Sequence, residues 1–393
     1  GMFKVESQRK RSSEDMTSQQ LRTAFLNFFK SHGHTVVPSS SLLPDDPSVL
    51  LTTAGMQQFK PYYTGQADAM KDFQSLSTAS VQKCFRTSDI EEVGDERHGT
   101  LFEMLGNFSF GGYFKKEAIA YALNFLKSIG LVERIDYVTV FAGDATTPFD
   151  RESYDIWKSL GIPENKIRKE GRADNFWGPT GTEGPCGPTT EIYVQGIEIW
   201  NIVFNQYYQK VDGTLDPLKT PGVDTGLGLD RLAMVMHTAP SIFDTDLHQP
   251  VIKAIAGMIP VVYKDAPREY RIITDHIRSA CFLIADGVLP SNLGAGYVLR
   301  RIIRRMIRAM RSLGLPATGM QTLVDMVIGL YSTTYPELKL KANDIASALK
   351  NETEKFTTSL ERGLKEFERI IASYRTPPYE GGERGGFLSG ASA

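Results

Sequence analysis

The sequence predicts an α+β fold in which an antiparallel sheet flanked by helices is followed by an all-helical domain. Strand-like segments cluster before about residue 230, and helical patterns follow almost without a break after Gly226. The length of 393 residues exceeds one ordinary core and is typical of two or three domains. We therefore expect a sheet domain over 1–240, a helical domain over 241–375 and a flexible, truncated tail over 376–393.

The first part of the chain alternates helices with short extended segments. From Ser18 to Ser31, large apolar residues recur at helical spacing behind a Thr-Ser pair that can cap a helix, which predicts an amphipathic helix. By the same patterns, helices are predicted over 116–128 and 151–160, and strands over 35–37, 49–53, 81–86, 100–105, 137–142, 192–194 and 200–206. The segment from Asp174 to Glu191 holds four glycines and three prolines, which predicts a stiff loop that is neither helix nor strand.

The second part of the chain has a helical pattern throughout. Its apolar residues recur at the spacing of one helix face. Helices are predicted over 229–237, 246–258, 269–286, 297–313, 322–331 and 343–374. A sheet domain followed by a helical domain, with a boundary near 238–245, is the simplest arrangement of these elements.

The composition is that of a globular protein without a strong charge bias. Hydrophobic residues make up 41% and the formal charge is only −2, so contact with nucleic acid would need a local basic patch. Cys84, Cys186 and Cys281 lie far apart, which argues against a disulfide framework and a Cys-rich zinc site and favours a reducing, cytoplasmic location. No apolar run approaches the roughly 20 residues of a membrane span, so no membrane partner is expected. Gly1 before Met2 resembles a tag-cleavage scar, and the Gly/Ser-rich C-terminus suggests a chain cut from a longer protein.

Signals of nucleotide binding are present without a P-loop. The chain has no GxxxxGK[ST] motif, and its GLGLDR segment lacks the third glycine of a dinucleotide fold. Gly228 in this segment would let the backbone approach a ligand, and Asp224 precedes it. Arg231, on the first turn of an apolar helix, could lie on a purine or meet a phosphate. The alternative is a helix that packs on the sheet through its glycines, with Arg231 as a surface charge.

Two further segments suit a nucleotide. The predicted hairpin carries Arg86 near its outer end and Phe102 on the returning strand, and a guanidinium can hold an α-phosphate with two parallel hydrogen bonds. Trp177 could wall an adenine pocket, while Glu183 and Glu191 could reach an ammonium group or Mg²⁺. The alternatives are a surface arginine, a core phenylalanine and a half-buried tryptophan in an ordinary loop.

Together these segments resemble the class II aminoacyl-tRNA synthetase family. The hairpin is similar to its second signature motif, GLGLDR to its third, and the opening helix with the Pro38 strand to its first. Longer segments resemble the alanyl-tRNA synthetase branch of that family: SSSLLPDDPSVLLTTAGMQQFKPYYTG, TLFEMLGNFSFGGYF, GPCGPTTEI, EIWNIVFNQYY, VDTGLGLDRL and DHIRSACFLIADGVLPSNLGAGYVLRRIIRR. The resemblance covers residues 18 to about 372 and implies the antiparallel sheet of class II synthetases.

The resemblance implies a reaction that uses ATP and Mg²⁺, with no zinc in this part of the protein. L-Alanine and ATP would give alanyl-adenylate and pyrophosphate, and alanine would then pass to the 3′ end of tRNA(Ala). Such a displacement depends more on positioning and charge neutralisation than on acid–base catalysis, so arginines and Mg²⁺ are the expected catalytic groups.

The resemblance also assigns roles to individual residues. Arg86 would hold the α-phosphate and the substrate carboxylate, Arg231 would cover the adenine or the γ-phosphate, and Asp224 would bind the ammonium group. These three are the expected catalytic residues. The further contacts expected for ATP are His98, Phe102, Trp177, Ile199, Trp200, Asn201 and Gly228. Alanine would also meet Asn201 near its carboxylate and Val203 at its methyl group.

The helix predicted over 297–313 carries a basic stripe. Its arginines are interleaved with apolar residues: Arg300, Arg301, Arg304, Arg305, Arg308 and Arg311. The favoured interpretation is phosphate contact along an RNA stem. The alternative is a solvated helix face that is paired with local acids such as Asp275 and Asp286. By resemblance, Asn292 would read a G·U pair in the acceptor stem of tRNA(Ala).

Two other functions stay open at this point. A synthetase-like module could bind RNA without consuming ATP, which the basic helix and a hairpin loop shorter than the family's would favour. An adenylate-forming enzyme of the same fold could pass its acyl group to an acceptor other than RNA, which would leave the arginine stripe unexplained. The resemblance places an editing domain beyond this chain, so proofreading is not expected.

Overall fold

The structure, a computed structural model, describes residues 16–47, 49–179 and 181–374. The expected scar at Gly1 and the predicted tail over 376–393 lie outside these residues. The strands in the described ranges are β1 Thr35–Val36, β2 Ser77–Phe85, β3 Leu101–Ser109, β4 Ile135–Phe141, β5 Ile167–Glu170, β6 Phe176–Trp177, β7 Gly184–Val194, β8 Ile197–Gln209 and β9 Leu215–Gly228.

The strands form one mixed sheet. Their order is β1-β2-β3-β9-β8-β7-β4-β5, and β6 pairs with β7 outside this path. The neighbours along the path are antiparallel except at the two edges, where β1–β2 and β4–β5 run parallel. The predicted α+β class, with a largely antiparallel sheet, flanking helices and a helical C-terminal region, is confirmed.

Helices cover the sheet and then form the second part of the chain. Those in the described ranges are α1 Ser18–Ser31, α2 Lys60–Tyr63, α3 Ala69–Phe73, α4 Lys115–Ser128, α5 Arg151–Ser159, α6 Arg172–Asn175, α7 Leu229–Met236, α8 Gln249–Ala256, α9 Pro267–Ala285, α10 Gly294–Leu313, α11 Gly319–Tyr331, α12 Glu337–Leu340 and α13 Ala342–Tyr374. No helix in the described ranges is long and apolar enough to cross a membrane. The division into domains near residue 240 stays a prediction.

Helix α1 has the bounds that the sequence predicts. Thr17 caps it by accepting a hydrogen bond from the backbone N–H of Gln20, whose side chain in turn accepts from the N–H of Thr17. Leu21, Phe25 and Phe29 follow at one-turn spacing and are fully buried against the sheet. The capping pair and the apolar stripe agree, so this element was predictable from sequence alone.

The Gly/Pro-rich segment from Asp174 to Glu191 was wrongly predicted to be irregular. It contains the end of the short helix α6, strand β6 and most of β7. The register between β7 and β8 shifts between Cys186 and Thr189, and a Cβ at Gly187 would lie 1.8 Å from the carbonyl oxygen of Phe204. The irregular register accommodates the prolines, and the glycine allows the backbones to approach.

One further strand prediction was wrong, and two strands were missed. Residues 49–53 do not form a strand, although the backbone of Thr52 hydrogen-bonds to Leu42 and Phe85. Strands β5 and β9 were not predicted. In β9, Pro217 and Pro221 interrupt the pattern, and its first half is largely exposed, so it lacks the apolar alternation of a buried strand.

Buried ion pairs join the sheet to the helices that follow it. Lys83 of β2 lies 2.6 Å from the carboxylate of Asp286. Asp230, on the first turn of α7, lies 3.0 Å from the guanidinium of Arg278 in α9, and both side chains are buried. These pairs fix the helical part against the sheet that carries the candidate site.

Candidate active site

A cavity opens above strands β3, β8 and β9. Its volume is about 230 Å³, and it opens to solvent. The residues predicted for the site that line it are Arg86, His98, Phe102, Trp177, Ile199, Asn201, Val203, Asp224, Gly228 and Arg231. Segments that are far apart in the sequence therefore meet at one concave site, as expected for a ligand pocket.

Trp200 does not line this cavity, which corrects its predicted contact with ATP. Successive side chains of a strand point to opposite faces of the sheet, so Ile199 and Asn201 cannot share the cavity with Trp200. The indole is fully buried on the other face, with ring centroids 6.0 Å from Phe25 and 5.8 Å from Phe125. Trp200 is a core residue beneath α1 and α4.

Asp224 places a buried carboxylate at one end of the cavity. It pairs with Val203 in the β8–β9 ladder and is only 6% exposed. Among the described residues, no side chain or backbone group forms a hydrogen bond or ion pair with this carboxylate. Burial raises its pKa to about 7, because a charge removed from water is disfavoured. A cationic ligand would supply the missing partner.

Asn201 lies two residues from Val203 and faces the same cavity. Its Nδ2 donates to Oε1 of Glu191 at 3.2 Å, while its buried Oδ1 has no hydrogen-bond partner. The free atom is thus an acceptor, which suits an ammonium group; the predicted contact with a carboxylate requires the amide to be turned over. Burial and the nearby Glu198 raise the pKa of Glu191 to about 7. A neutral Glu191 is compatible with either orientation of the amide.

Arg86 and Phe102 lie together at the open end of the β2–β3 hairpin. The Arg86 guanidinium sits over the Phe102 ring, 4.9 Å from its centroid, and the Arg86 backbone N–H donates to the carbonyl of Thr100 at 2.9 Å. In the described part of the chain, this guanidinium has no acidic partner. Its N–H donors are therefore available to an anion in the cavity.

Arg231 is held at the other side of the cavity by Glu198, a residue that was not predicted. Its guanidinium donates to the carbonyl oxygen and to the carboxylate of Glu198, both at 3.0 Å. Strict alternation along β8 would point Glu198 away from the cavity. The ladder pairs Tyr193 with Glu198 but Ile192 with Trp200, so one extra residue in β8 breaks the alternation.

Gly226 is more closely packed than Gly228. A Cβ at Gly226 would lie 2.8 Å from the sulfur of Met104, whereas a Cβ at Gly228 would meet no atom closer than 4.0 Å. The space above Gly228 is open to a ligand. The predicted approach of ATP to its backbone stays a prediction.

Trp177, at the end of strand β6, and His98, in the hairpin loop, border the cavity. The indole Nε1 of Trp177 is buried without a hydrogen-bond partner. His98 is half-buried and contacts Asp95, with 2.5 Å between the ring Nδ1 and a carboxylate oxygen. Both positions are compatible with the predicted nucleotide contacts, which stay predictions.

The basic helix α10 differs from its predicted role at one arginine. Arg305 is only 8% exposed and donates to His276 at 3.0 Å and to the carbonyl of Val93 at 2.9 Å. Its donors are already used inside the protein, so it is not placed to meet RNA phosphates. This corrects the predicted contact.

Most of the other arginines of α10 also have acidic neighbours. Arg300 and Arg304 lie 3.1 and 3.0 Å from the carboxylate of Glu352, Arg301 pairs with Glu91, and Arg300 also donates to Asn292. The alternative considered for this stripe, pairing with local acids, is therefore present for these three arginines, although the acids are Glu91 and Glu352 and not Asp275 or Asp286. Arg308 and Arg311 are exposed and have no ion pair within the described ranges.

Comparisons with a family model and with individual known proteins point to the same family. The family described as tRNA synthetases class II (A) matches residues 20–378. An alanine–tRNA ligase of Leptospira biflexa is 45% identical, over 90% of this chain and 41% of that protein. Those of Rubrobacter xylanophilus and Thermotoga maritima are each 44% identical, over 91% of this chain and 44% and 43% of the relatives. The chain therefore spans less than half the length of these relatives.

A structural comparison is weaker than these sequence matches. An aspartyl tRNA synthetase from Entamoeba histolytica aligns over 61% of this chain with 15% identity and a TM-score of 0.37. The family match, by contrast, extends over nearly the whole chain, including the hairpin and the start of α7. The chain therefore belongs to the class II (A) tRNA synthetase family.

Proposed function

We propose that this chain activates L-alanine with ATP, giving alanyl-adenylate and pyrophosphate, and transfers the alanine to the 3′ end of tRNA(Ala). Similar proteins at 42–45% identity are alanine–tRNA ligases. The chain spans less than half the length of several of these proteins. A cytoplasmic location is part of the proposal.

The observation that carries the proposal is the unpartnered carboxylate of Asp224 beside Val203. A buried charge is unfavourable unless it is paired, and an amino-acid ammonium group would pair with it inside the cavity. Val203 is directly opposite in the ladder and gives a small side chain an apolar neighbour. Alanine carries both an ammonium group and a small apolar group, its methyl, on one carbon, so it fits this pair of residues.

The two arginines suit the phosphate end of the reaction. An oxygen of the alanine carboxylate attacks the α-phosphorus, a new P–O bond forms, and the bond to the pyrophosphate leaving group breaks. Arg86 has free donors for the α-phosphate, and Arg231 is held over the far side of the cavity by Glu198. Both would neutralise charge that develops on phosphate oxygens, which is the main requirement of such a transfer.

The class II synthetase family uses ATP and a divalent metal, and the carboxylates at the cavity fit Mg²⁺. Within the described ranges, no three His, Cys, Asp or Glu side chains are grouped as a metal site. Mg²⁺ commonly binds to one or two carboxylates together with substrate phosphates. Asp89 and Glu198 line the cavity and offer such oxygens. Bound there, the ion would neutralise phosphate charge.

The proposed RNA partner is the acceptor stem of tRNA(Ala). Asn292 is exposed before α10, and Arg308 on the same helix is exposed without an acidic partner among the described residues. Arg300, Arg301 and Arg304 would have to exchange their carboxylates for phosphates. We propose Asn292 and Arg308 as the principal contacts, and these three arginines as secondary ones.

Pyrophosphate exchange measured with each amino acid tests the first half of the proposal. Exchange that depends on alanine is expected. If none of the amino acids supports exchange, only the function of an RNA-binding module remains. Charging of tRNA(Ala) tests the second half. Alanine-dependent exchange without charging would favour an adenylate-forming enzyme with a different acceptor, or a fragment that needs the rest of the protein.

A further inference from the structure

The hairpin loop over 87–99 is held by the helical part of the chain. Its carbonyls at Val93, Gly94 and Glu96 accept hydrogen bonds of 2.9, 3.1 and 3.0 Å from Arg305, Arg271 and the backbone of Ile242. All three donors follow residue 240. The position of the loop is therefore set by α9, α10 and the segment before them as well as by the hairpin itself.

A buried chain of hydrogen bonds joins α10 to the end of this loop. Arg305 donates to Nε2 of His276 at 3.0 Å, and Nδ1 of His276 lies 2.8 Å from Oδ2 of Asp275. Asp275 accepts from both the backbone N–H and the hydroxyl of Thr100, at 2.8 and 2.6 Å. The carbonyl of Thr100 then receives the backbone N–H of Arg86 at 2.9 Å.

The chemistry of the partners fixes the direction of each bond. Arg305 can only donate and a carboxylate can only accept, so His276 must be neutral with its proton on Nδ1. Burial lowers the pKa of His276, which favours this neutral form. The hydroxyl of Thr100 gives its proton to Asp275 and therefore accepts from Ser279, 2.7 Å away. Each buried group in this chain of hydrogen bonds has a partner, so the geometry of the chain of hydrogen bonds is well defined.

The loop held in this way borders the nucleotide side of the cavity. Asp89, Arg97, His98 and Gly99 all line it. The alanine side is built instead by Val203 and Asp224, which belong to β8 and β9. A displaced loop would thus disturb the two substrates unequally.

We propose that Asp275 and Arg305 are positioning residues for ATP, which act through His276 and Thr100 on the hairpin loop. This inference rests on the proposed function and deepens it, because it gives the helical part a role in the first reaction step, before RNA is bound. An arginine of the basic stripe would serve the nucleotide site and not the RNA.

The test compares Arg305→Met with Arg362→Met in alanine-dependent pyrophosphate exchange. Arg362 is an exposed arginine of α13, so its replacement controls for the loss of one charge. For Arg305→Met, we expect the KM for ATP to rise about tenfold while the KM for alanine changes less than twofold, since misplacement near 1 Å is costly. Mere loss of folded protein would lower kcat and leave both KM values unchanged.

Thr100, at the other end of this chain of hydrogen bonds, provides a second and milder variant. Thr100→Val removes the hydroxyl while keeping the shape, and Thr100→Ser keeps the hydroxyl. The KM for ATP is expected to rise in the valine variant and to be largely restored in the serine variant. An unchanged KM for ATP in both Arg305→Met and Thr100→Val would overturn the inference. If the unmodified chain shows no exchange, the proposed function fails, and equilibrium ATP binding to the same variants still decides the inference.

Discussion

Val203 and Asp224 lie directly opposite each other in the ladder between β8 and β9. The pairing places an apolar side chain and an unpartnered carboxylate at the same end of the cavity, although 21 positions (224 − 203) separate them in the sequence. A ligand held there must bring a cation close to a small apolar group.

Replacing Asp224 should abolish alanine activation. In Asp224→Ala, the ammonium loses its only proposed counter-charge, a loss of about 3–5 kcal/mol for a buried pair. Pyrophosphate exchange with alanine should fall by more than about a hundredfold, while equilibrium ATP binding stays close to that of the unmodified chain. Asp224→Asn, which keeps the shape, should be nearly as defective. Exchange at the original rate in either variant would contradict the assignment.

Glycine or serine should be misactivated to a measurable degree. Removing one methyl group from the substrate changes transition-state binding by only about 1–3 kcal/mol. Exchange with glycine should therefore be roughly 10–200-fold less efficient than with alanine, and not absent. Undetectable exchange with both glycine and serine would show that the cavity discriminates by more than the wall at Val203.

The apparent affinity for alanine should rise with pH through about 7. The carboxyl of Asp224 has a pKa of about 7 in the empty protein, so below this value it is increasingly neutral and cannot pair with the ammonium. The KM for alanine should increase up to about tenfold per pH unit below the pKa. Glu191, whose pKa is also about 7, can add to this dependence through Asn201. Glu191→Gln separates the two, because the Asp224 contribution should persist in it.

The stability of the substrate-free chain should change in the opposite direction. Because burial raises the pKa of Asp224 in the folded state, the folded protein binds this proton more tightly than the unfolded chain does. The free energy of unfolding therefore falls as pH rises from about 4 to about 7. Asp224→Asn should be more stable than the original at pH 8 by about 1–3 kcal/mol. Thermal unfolding of the original chain and of Asp224→Asn, without alanine at pH 5 and pH 8, measures this effect. An equal loss of stability from pH 5 to pH 8 in the two proteins would contradict the prediction.

Breaking the buried pair between Arg278 and Asp230 should destabilise the fold. The two side chains are almost completely buried, and the Arg278 guanidinium holds the pKa of Asp230 below its usual range despite burial. Arg278→Met leaves this carboxylate without its main counter-charge, a loss of about 3–5 kcal/mol. Chemical denaturation should show this loss. Arg278→Met with Asp230→Asn should recover part of it, and no recovery would indicate that packing of Arg278 dominates.

Arg308 should contribute to RNA affinity, and Arg305 should not contribute through phosphate contact. Arg308→Ala should weaken binding of tRNA(Ala) and reduce the slope of log affinity against log salt concentration by about 1. Arg305→Met should leave that slope unchanged, because its guanidinium is enclosed by His276 and Val93. Equal slopes for the unmodified chain and Arg308→Ala would remove Arg308 from the interface.

The predictable elements were those with a local signal. The capping box at Thr17 and the stripe through Phe25 and Phe29 specify α1 without tertiary information. Arg86, Asp224 and Arg231 were singled out because their motifs resemble a known family. Their convergence on one cavity is a property of the sheet order, which brings β3, β8 and β9 together.

The residues that were misassigned depend on tertiary structure. Trp200 was placed in the site because its neighbours belong there, and only the pleat of β8 separates it from them. Glu198 was missed because the irregular register that turns it toward the cavity has no sequence signal. Arg305 looked like its neighbours on α10, and its role is set by His276 and Val93, which come from other segments.

The buried amine of Lys83 bears on how the chain could be engineered. It lies between Asp286 and Glu337, at 2.6 and 2.5 Å, while Arg22 and Tyr335 enclose Glu103 in the same way. A cut near residue 240 would remove Asp286, Glu337 and Tyr335, and would leave Lys83 facing solvent on an unprotected sheet. The sheet part is therefore a poor candidate for transplantation alone, and a graft that exchanges the specificity of one part must carry both sides of these pairs.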